Sequence, residues 1–553
     1  MASIHTLPHS KVCNSAASLS WPLLILAAGF TARLIPAWCL WLNADEALHY
    51  LLSVQPSLAL TYRASLTTAH PPLLIVFLHY WQRLGTTEFI LRLPSVLTGT
   101  AACWMAFLWF EKVTDRRTAL IGLTLMALSP PLISLSGEIR QYPLLWLFSI
   151  SALYLLEAAV SDSSWLTMLA ASCLLWLAML THYSAFLFVM SFGMYSLIRI
   201  VGARPKAHVI ATWAVGQAVA IGLALFLLRT HVQRLKSNGL QELIASTYLR
   251  ASIYHKGEVN FYWFMPRENL RFFHYLFSQG AVGAIALAFF IAGIVMLASQ
   301  HRETRSTSHP SPRLLALLLA FPFVANSVLA LADIYPFGGT RHNSYLAVFA
   351  ILGIAVASAH WQPRGIPGRR AFWAVIVVIL LLCNIFPTPR GEFIHWKDQQ
   401  RPLMIAAVTD LKRSLEQDPH AVLLTDNQGG LLLSYYLCGE KIVQFEEPFQ
   451  PFYEARCDGR RALTIDPTRW IFKGPTFAAD LAALQQRYSL PPDTSLYLFQ
   501  AGWVIDKEKS LRQEMARFGC TEQNFGRNIL VCRIGLQPLW KQSLYLDSED
   551  QHP

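Results

Sequence analysis

The sequence predicts a polytopic α-helical membrane protein of about eleven spans, followed by a smaller α/β domain. Three observations predict it. Hydrophobic residues make up 54% of the chain and charged residues 14%, against about 25% charged in an ordinary soluble domain. Apolar runs long enough to cross a bilayer recur between residues 20 and 387. Beyond about residue 390 the pattern changes to short β-type runs alternating with amphipathic helical ones.

A hydrocarbon core of ~30 Å needs about 20 apolar residues per helix. Runs of that kind lie at 20–42, 93–110, 118–136, 142–160, 165–181, 183–199, 209–229, 279–298, 313–333, 343–360 and 371–387. The first is too long for a signal-peptide core and shows no small-residue cleavage site, so it reads as an uncleaved span. Arg33 lies inside it and is expected to pair within the bundle.

The net charge of +11 is explained by topology and needs no nucleic acid. With a cytoplasmic N-terminus, alternate loops carry Lys112, Arg116 and Arg117, then Arg199, Arg204 and Lys206, then Arg302, Arg305 and Arg313, then Arg364, Arg369 and Arg370. This is a positive-inside distribution. It assigns the first loop, the segment 231–278 and everything after about 390 to the extracytoplasmic side. The turn from Glu157 to Ser164 breaks the pattern, having neither Lys nor Arg.

The division expected is 1–389 for the membrane domain, with external loops 43–92 and 231–278, and 390–553 for the α/β domain. In the first loop, 48–54 and 73–81 mix apolar and polar faces, as helices lying in the membrane interface do. Pro71-Pro72 suits the first turn of the second. The loop 231–278 is aromatic and basic, with Tyr262, Trp263, Arg267 and Arg271, and reads either as an interfacial belt or as a substrate wall. In the C-terminal region 421–425, 441–445, 495–499 and 528–532 read as strands, and 401–417, 429–437, 476–488 and 508–518 as helices. Its glycines lack the spacing of a dinucleotide fingerprint. Of the nine cysteines, Cys438, Cys457, Cys520 and Cys532 fall in this region, either as neighbour disulfides or as buried thiols.

The residues that can carry chemistry gather at one face. Asp45, Glu46, His49 and His70 come from the first loop, Arg92 from the second span, and Glu138, Arg140 and Tyr142 from the turn after the third. His182 and Tyr183 lie between the fifth and sixth spans, and Arg341, His342 and Tyr345 begin the tenth. Acidic residues where a helix leaves the bilayer are a functional hypothesis by default. Together with histidines and arginines they offer a general base and anion-binding groups, which displacing a phosphate leaving group requires.

The succession Asp45-Glu46-Ala-x-x-Tyr50, His70-Pro71-Pro72-Leu73, Glu88-x-x-x-Arg92-Leu93-Pro94-Ser95, Arg140-x-Tyr142 and Thr181-His182-Tyr183 resembles the polyprenyl-phosphate-sugar-dependent glycosyltransferases of the GT-C fold. The branch it is most similar to includes protein O-mannosyltransferases and the lipid A aminoarabinose transferase. The likeness runs through the first ~360 residues.

The resemblance implies a GT-C membrane enzyme in the bacterial inner membrane that works on the extracytoplasmic face. It implies a sugar donor on polyprenyl phosphate and a protein, lipid or glycan acceptor. Asp45 is implied as the catalytic base, with Glu46 beside it. Arg341 is first choice for the departing phosphate and Arg140 second; Tyr142, His70 and His182 are implied in substrate binding. Arg341-His342 departs from the Arg-Tyr common in relatives. No cofactor is fixed. A divalent ion held by His70 with Glu138 or His182 is left open, because no ligand spacing is diagnostic. A transporter or flippase of lipid-linked sugars is the alternative, but it calls for ionisable groups at the midplane and broken helices.

Overall fold

The computed structural model describes residues 10–234, 249–300, 309–388, 396–439, 451–465, 471–503, 509–520 and 523–536. Helices α1 (Ser10–Cys39), α2 (Ala44–Ser53), α3 (Leu58–Ser65), α4 (Leu73–Trp81), α5 (Glu88–Val113), α6 (Arg116–Leu128), α7 (Pro130–Ser136), α8 (Tyr142–Asp162), α9 (Trp165–Met179), α10 (Ala185–Ala203) and α11 (Ala207–Leu227) come first. They are followed by α12 (Phe261–Phe277), α13 (Gly280–Ser299), α14 (Pro312–Leu331), α15 (Ala347–Trp361) and α16 (Ile366–Ile385). The C-terminal region holds α17 (Arg401–Gln417), β1 (Val422–Thr425), α18 (Asn427–Leu433), β2 (Phe452–Cys457), β3 (Arg460–Ile465), α19 (Gly474–Tyr488), β4 (Ser495–Ala501), α20 (Lys509–Arg517), β5 (Gln523–Asn524) and β6 (Ile529–Gly535).

Nine helices among the described residues are long and apolar enough to cross a membrane: α1, α5, α8, α10, α11, α13, α14, α15 with its leading turn, and α16. The pair α6–α7, bent by 58°, makes a tenth, and α9 is apolar but only 15 residues long. The runs read from the sequence correspond to these ten and α9. The chain is an integral membrane protein.

The chain divides into two compact units, Met1–Ala37 with Thr68–Leu74 and Arg92–Thr388, and Trp38–Thr67 with Ile75–Leu91 and Pro389–Pro553.

In the first unit the buried charges are met locally. Pro130 opens α7 and lacks an N–H, so the chain bends there and the last carbonyls of α6 lose their helical partners. Arg33, buried in α1, donates to two of them, Ala127 O at 2.8 Å and Met126 O at 3.2 Å, and to Cys103 Sγ at 3.3 Å. Glu157, at the end of α8, accepts from Arg199 Nε at 3.0 Å and from the Tyr195 hydroxyl at 2.7 Å. The charge pattern counts Arg199 among the cytoplasmic loop residues. It is buried on α10 in this pair, because a carboxylate inside the bundle requires a cation beside it. Where α13 meets α15, a Cβ on Gly293 would stand 2.1 Å from Gly353 O, so small residues let the two backbones touch.

Among the described residues of the second unit a six-stranded sheet runs β2-β3-β1-β4-β6-β5, with β1 parallel to β3 and β4 and the remaining pairs antiparallel. Leu424, Leu463 and Leu498 of the central strands form one apolar core with Phe477 and Leu481 of α19 and Leu511 of α20. The expected helices correspond to α17, α18 with a π-turn over Ser434–Cys438, α19 and α20, and three expected strands to β1, β4 and β6. The strand expected at 441–445 lies outside the described residues. The β2–β3 hairpin was not anticipated, although its turn, Asp458-Gly459 with φ of 52° and 77°, is the I′ signal of a tight hairpin. Cys438 pairs with Cys457 and Cys520 with Cys532, which selects neighbour disulfides over buried thiols. This unit also takes α2, α3 and most of α4 from the first loop.

Candidate active site

In the first unit the turn between α9 and α10 carries His182, 2% exposed. The Ser184 backbone N–H and hydroxyl both reach its Nδ1, at 3.1 and 2.8 Å. A backbone N–H can only donate, so Nδ1 accepts and the ring hydrogen sits on Nε2. Burial, aided by the nearby Arg341 cation, pushes the imidazole down to about 3. His182 is therefore a neutral donor at physiological pH.

Aromatic side chains from three other segments surround it. Ring centroids lie at 5.0 Å for Tyr142, at the start of α8, 5.4 Å for His70, ahead of α4, and 5.6 Å for His342. The backbone of Leu73 holds the His70 segment by donating to Leu180 O at 3.1 Å. Tyr183, next in the turn, has its hydroxyl pushed upward by burial.

Arg341 and His342 open a 3₁₀ turn over Arg341–Leu346. The approach to it is Gly338-Gly339-Thr340. Gly338 has φ of 117°, and a Cβ there would meet a Glu268 carboxylate oxygen at 2.1 Å, so only glycine fits. Glu268, fully buried on α12, is bracketed by Arg267 at 2.7 Å and Arg271 at 3.0 Å. Burial nevertheless raises its carboxyl, the two arginines opposing. Asn343 donates to Gly338 O at 3.3 Å and accepts from Asn326 at 2.9 Å, tying the turn to α14.

Of the residues singled out in the sequence, His70, Tyr142, His182 and Arg341 come together here, and His342 joins them. Arg140 is buried and donates to Glu138 at 3.0 Å, so it is an ion-paired residue. Sequence reasoning missed Gln141 and Glu268. Gln141 is fully buried, and neither of its amide atoms is hydrogen-bonded among the described residues. No spacing marks a glutamine in advance. Glu268 lies in the stretch 231–278, read from the sequence as a basic loop, which the structure shows as helix α12 over Phe261–Phe277.

The second unit carries Asp45 and Glu46, in the first turn of α2. Asn43 is the N-cap: its Oδ1 accepts from the Glu46 N–H at 3.1 Å, and Glu46 Oε2 accepts from the Asn43 N–H at 2.9 Å. This is a capping box. It fully buries Glu46, whereas Asp45 is half-buried. A carboxylate in the first turn is favoured by the positive end of the helix dipole.

Among the described residues no group of three or more His, Cys, Asp or Glu is placed to hold a metal ion.

Residues 69–229 match the family model described as dolichyl-phosphate-mannose-protein mannosyltransferase. No curated protein sequence matches the chain. Among solved structures, ArnT from Cupriavidus metallidurans bound to undecaprenyl phosphate superposes with a TM-score of 0.51 at 13% identity, over 93% of this chain and 98% of that one. The apo oligosaccharyltransferase of Archaeoglobus fulgidus gives 0.50 at 12% identity, over 89% and 70%. At such identities the likeness is one of architecture, and the chain has the GT-C fold of membrane glycosyltransferases.

Proposed function

We propose that the protein is a membrane glycosyltransferase that moves a sugar from a polyprenyl-phosphate carrier to an acceptor hydroxyl. The observation that carries this is the cluster of Tyr142, His70, His182 and His342 with Arg341, held by the turns of a GT-C bundle. The undecaprenyl phosphate in the ArnT structure supports the same class of carrier.

The reaction is an inverting single displacement. Asp45 takes the proton of the acceptor hydroxyl, whose oxygen attacks the anomeric carbon. The bond from that carbon to the phosphate oxygen breaks, and the lipid phosphate leaves with the electron pair. A half-buried carboxylate in the first turn of α2 suits the base. The leaving phosphate gains charge where water is scarce, and Arg341 answers it with a planar fork that stays protonated. The Nε2–H of neutral His182 supplies a further donor at no cost in positive charge, and His70 and Tyr142 bind substrate around it. Glu46 holds the helix that presents Asp45, and Arg140, neutralised by Glu138, has a weaker claim on phosphate than Arg341.

The reaction is placed on the extracytoplasmic face of a bacterial inner membrane. The basic loops Lys112–Arg117 and Arg364–Arg370 support that orientation. Two disulfides in the C-terminal region support an oxidising compartment for it. The acceptor is a protein, lipid or glycan hydroxyl.

The test is transfer of radiolabelled sugar from a panel of polyprenyl-phosphate monosaccharides to a membrane extract, comparing wild type with Asp45→Asn. Transfer by wild type that is lost in the variant is expected. Full transfer by the variant removes Asp45 from the mechanism, and movement of labelled lipid without transfer would make the protein a flippase.

A further inference from the structure

Within the second unit, the approach to α2 is held by residues far along the chain. After α1 the strand-like segment Leu40–Leu42 bridges to Gln400 in antiparallel fashion. The Trp41 N–H donates to Gln399 O at 3.0 Å, Gln399 Nε2 returns a bond to Trp41 O at 2.8 Å, and the Trp41 indole, fully buried, donates to Asp398 O at 3.3 Å. The next residue, Leu42, donates its N–H to the Tyr436 hydroxyl at 2.9 Å. That hydroxyl gives its own proton to Glu88 Oε1 at 3.2 Å, and the same oxygen accepts from Arg401 Nε at 3.1 Å. Asn43, the cap of α2, follows immediately.

The contact continues along the helix. Tyr435 sets its ring edge-on to Tyr50 of α2, centroids 5.2 Å apart, and donates to Thr86 O at 2.7 Å. Both tyrosines sit in the π-turn Ser434–Cys438, whose last residue is bonded to Cys457 of β2. The π-turn is thus covalently fixed to the sheet on one side and hydrogen-bonded to the entry of α2 on the other.

We propose that Tyr436 is a positioning residue for Asp45, and that through it the C-terminal α/β domain sets where the Asp45 carboxylate is presented. The proposal rests on the reading of Asp45 as the base. A phenol suits this place because its one oxygen can accept from a backbone N–H while donating to a carboxylate. The buried Leu42 N–H would otherwise lack an acceptor two residues before the helix begins. A base displaced by a fraction of an ångström loses rate and leaves substrate affinity intact.

The test uses the full chain in detergent, with Tyr436→Phe compared with wild type and with Tyr497→Phe, a hydroxyl loss on β4. Tyr436→Phe should lower kcat on the order of tenfold or more, with KM for the lipid donor within about twofold. Amide exchange over residues 43–53 should quicken, also by about tenfold. Tyr497→Phe should change neither. Wild-type kcat in Tyr436→Phe, a rise in KM at constant kcat, or unaltered exchange in α2 each overturns the proposal. If Tyr436→Phe does not yield folded protein, Glu88→Gln carries the test: it keeps an acceptor for the Tyr436 proton but weakens the Arg401 pair, and should move kcat and exchange in the same direction by less. If wild type transfers no sugar from any donor, the glycosyltransferase reading fails, and the exchange result still decides whether Tyr436 holds α2.

Discussion

Glu46→Gln separates two roles that the pair Asp45-Glu46 leaves confounded in the sequence. In the structure Glu46 Oε2 accepts the Asn43 N–H at 2.9 Å and the Asn43 side chain returns the bond at 3.1 Å. Both side chains are buried, 0% and 2% exposed. Glutamine keeps a carbonyl oxygen of the same reach, so the reciprocal cap survives. The expected cost is below about 1 kcal/mol, and transfer stays within about fivefold of wild type. Glu46→Ala strands the buried Asn43 N–H, which costs about 1–3 kcal/mol of local stability, read as faster amide exchange over residues 43–53. A catalytic carboxylate behaves differently: its loss costs about 10²–10⁴ in rate whatever happens to the helix. The assay is labelled-sugar transfer with exchange on the same preparations, Asp45→Asn marking the background. A fall of about a hundredfold or more in Glu46→Gln, with α2 protection unchanged, would refute the capping role and restore Glu46 to the chemistry.

Arg341→Lys keeps the charge but loses the planar fork; kcat in the transfer assay should drop by about tenfold or more, and a rate equal to wild type would remove Arg341 from the phosphate. Asp426, buried at the end of β1, accepts from the Gly429 N–H at 2.7 Å, yet burial raises its carboxyl from 3.8 to about 8. The folded state therefore holds a proton that the unfolded state has released, so the contribution is complete below pH 3.8 and lost as pH rises to about 8. Thermal unfolding should show the C-terminal region less stable at pH 8 than at pH 5, and Asp426→Asn should flatten that dependence. Replacing Cys438 and Cys457 by serine opens a link of sequence separation 19; the loss should be about 2–4 kcal/mol, seen as earlier proteolysis of the C-terminal region.

The spans were legible because burial in hydrocarbon demands a continuous apolar run, and such runs survive averaging along the sequence. The same averaging hid the break at Pro130. Residues 118–136 are apolar throughout, so hydropathy read them as one helix, while the missing N–H of Pro130 bends them by 58°. The Asp458-Gly459 hairpin was legible by its turn chemistry but was passed over, because its strands carry four arginine and glutamate residues between them and show no clean alternation. His70, Tyr142, His182 and Arg341 were found because polar types stood where loops should be. Gln141 was not, since an uncharged amide between Arg140 and Tyr142 carries no signal until burial gives it one. Likewise no local pattern tells that Tyr436 reaches Leu42, 394 residues away.

The distinction between structural and functional charge follows from how completely each is answered. Arg33 donates to Ala127 O and Met126 O, two carbonyls that a broken helix leaves over. Glu157 is closed by Arg199 and Tyr195, and Glu268 by two arginines. Removing Arg199 leaves the buried Glu157 carboxylate without its cation, so the expected consequence is loss of folded protein. His182 is of another kind. Among the described residues no carboxylate forms an ion pair with it; Ser184 occupies Nδ1, and burial with Arg341 beside it keeps the ring neutral. A fold that needed only a packed side chain at that turn could use a leucine, without desolvating an imidazole next to a guanidinium. Under the proposed reaction the neutral Nε2–H of His182 donates to a phosphate oxygen beside Arg341, so the leaving group's charge belongs at this turn.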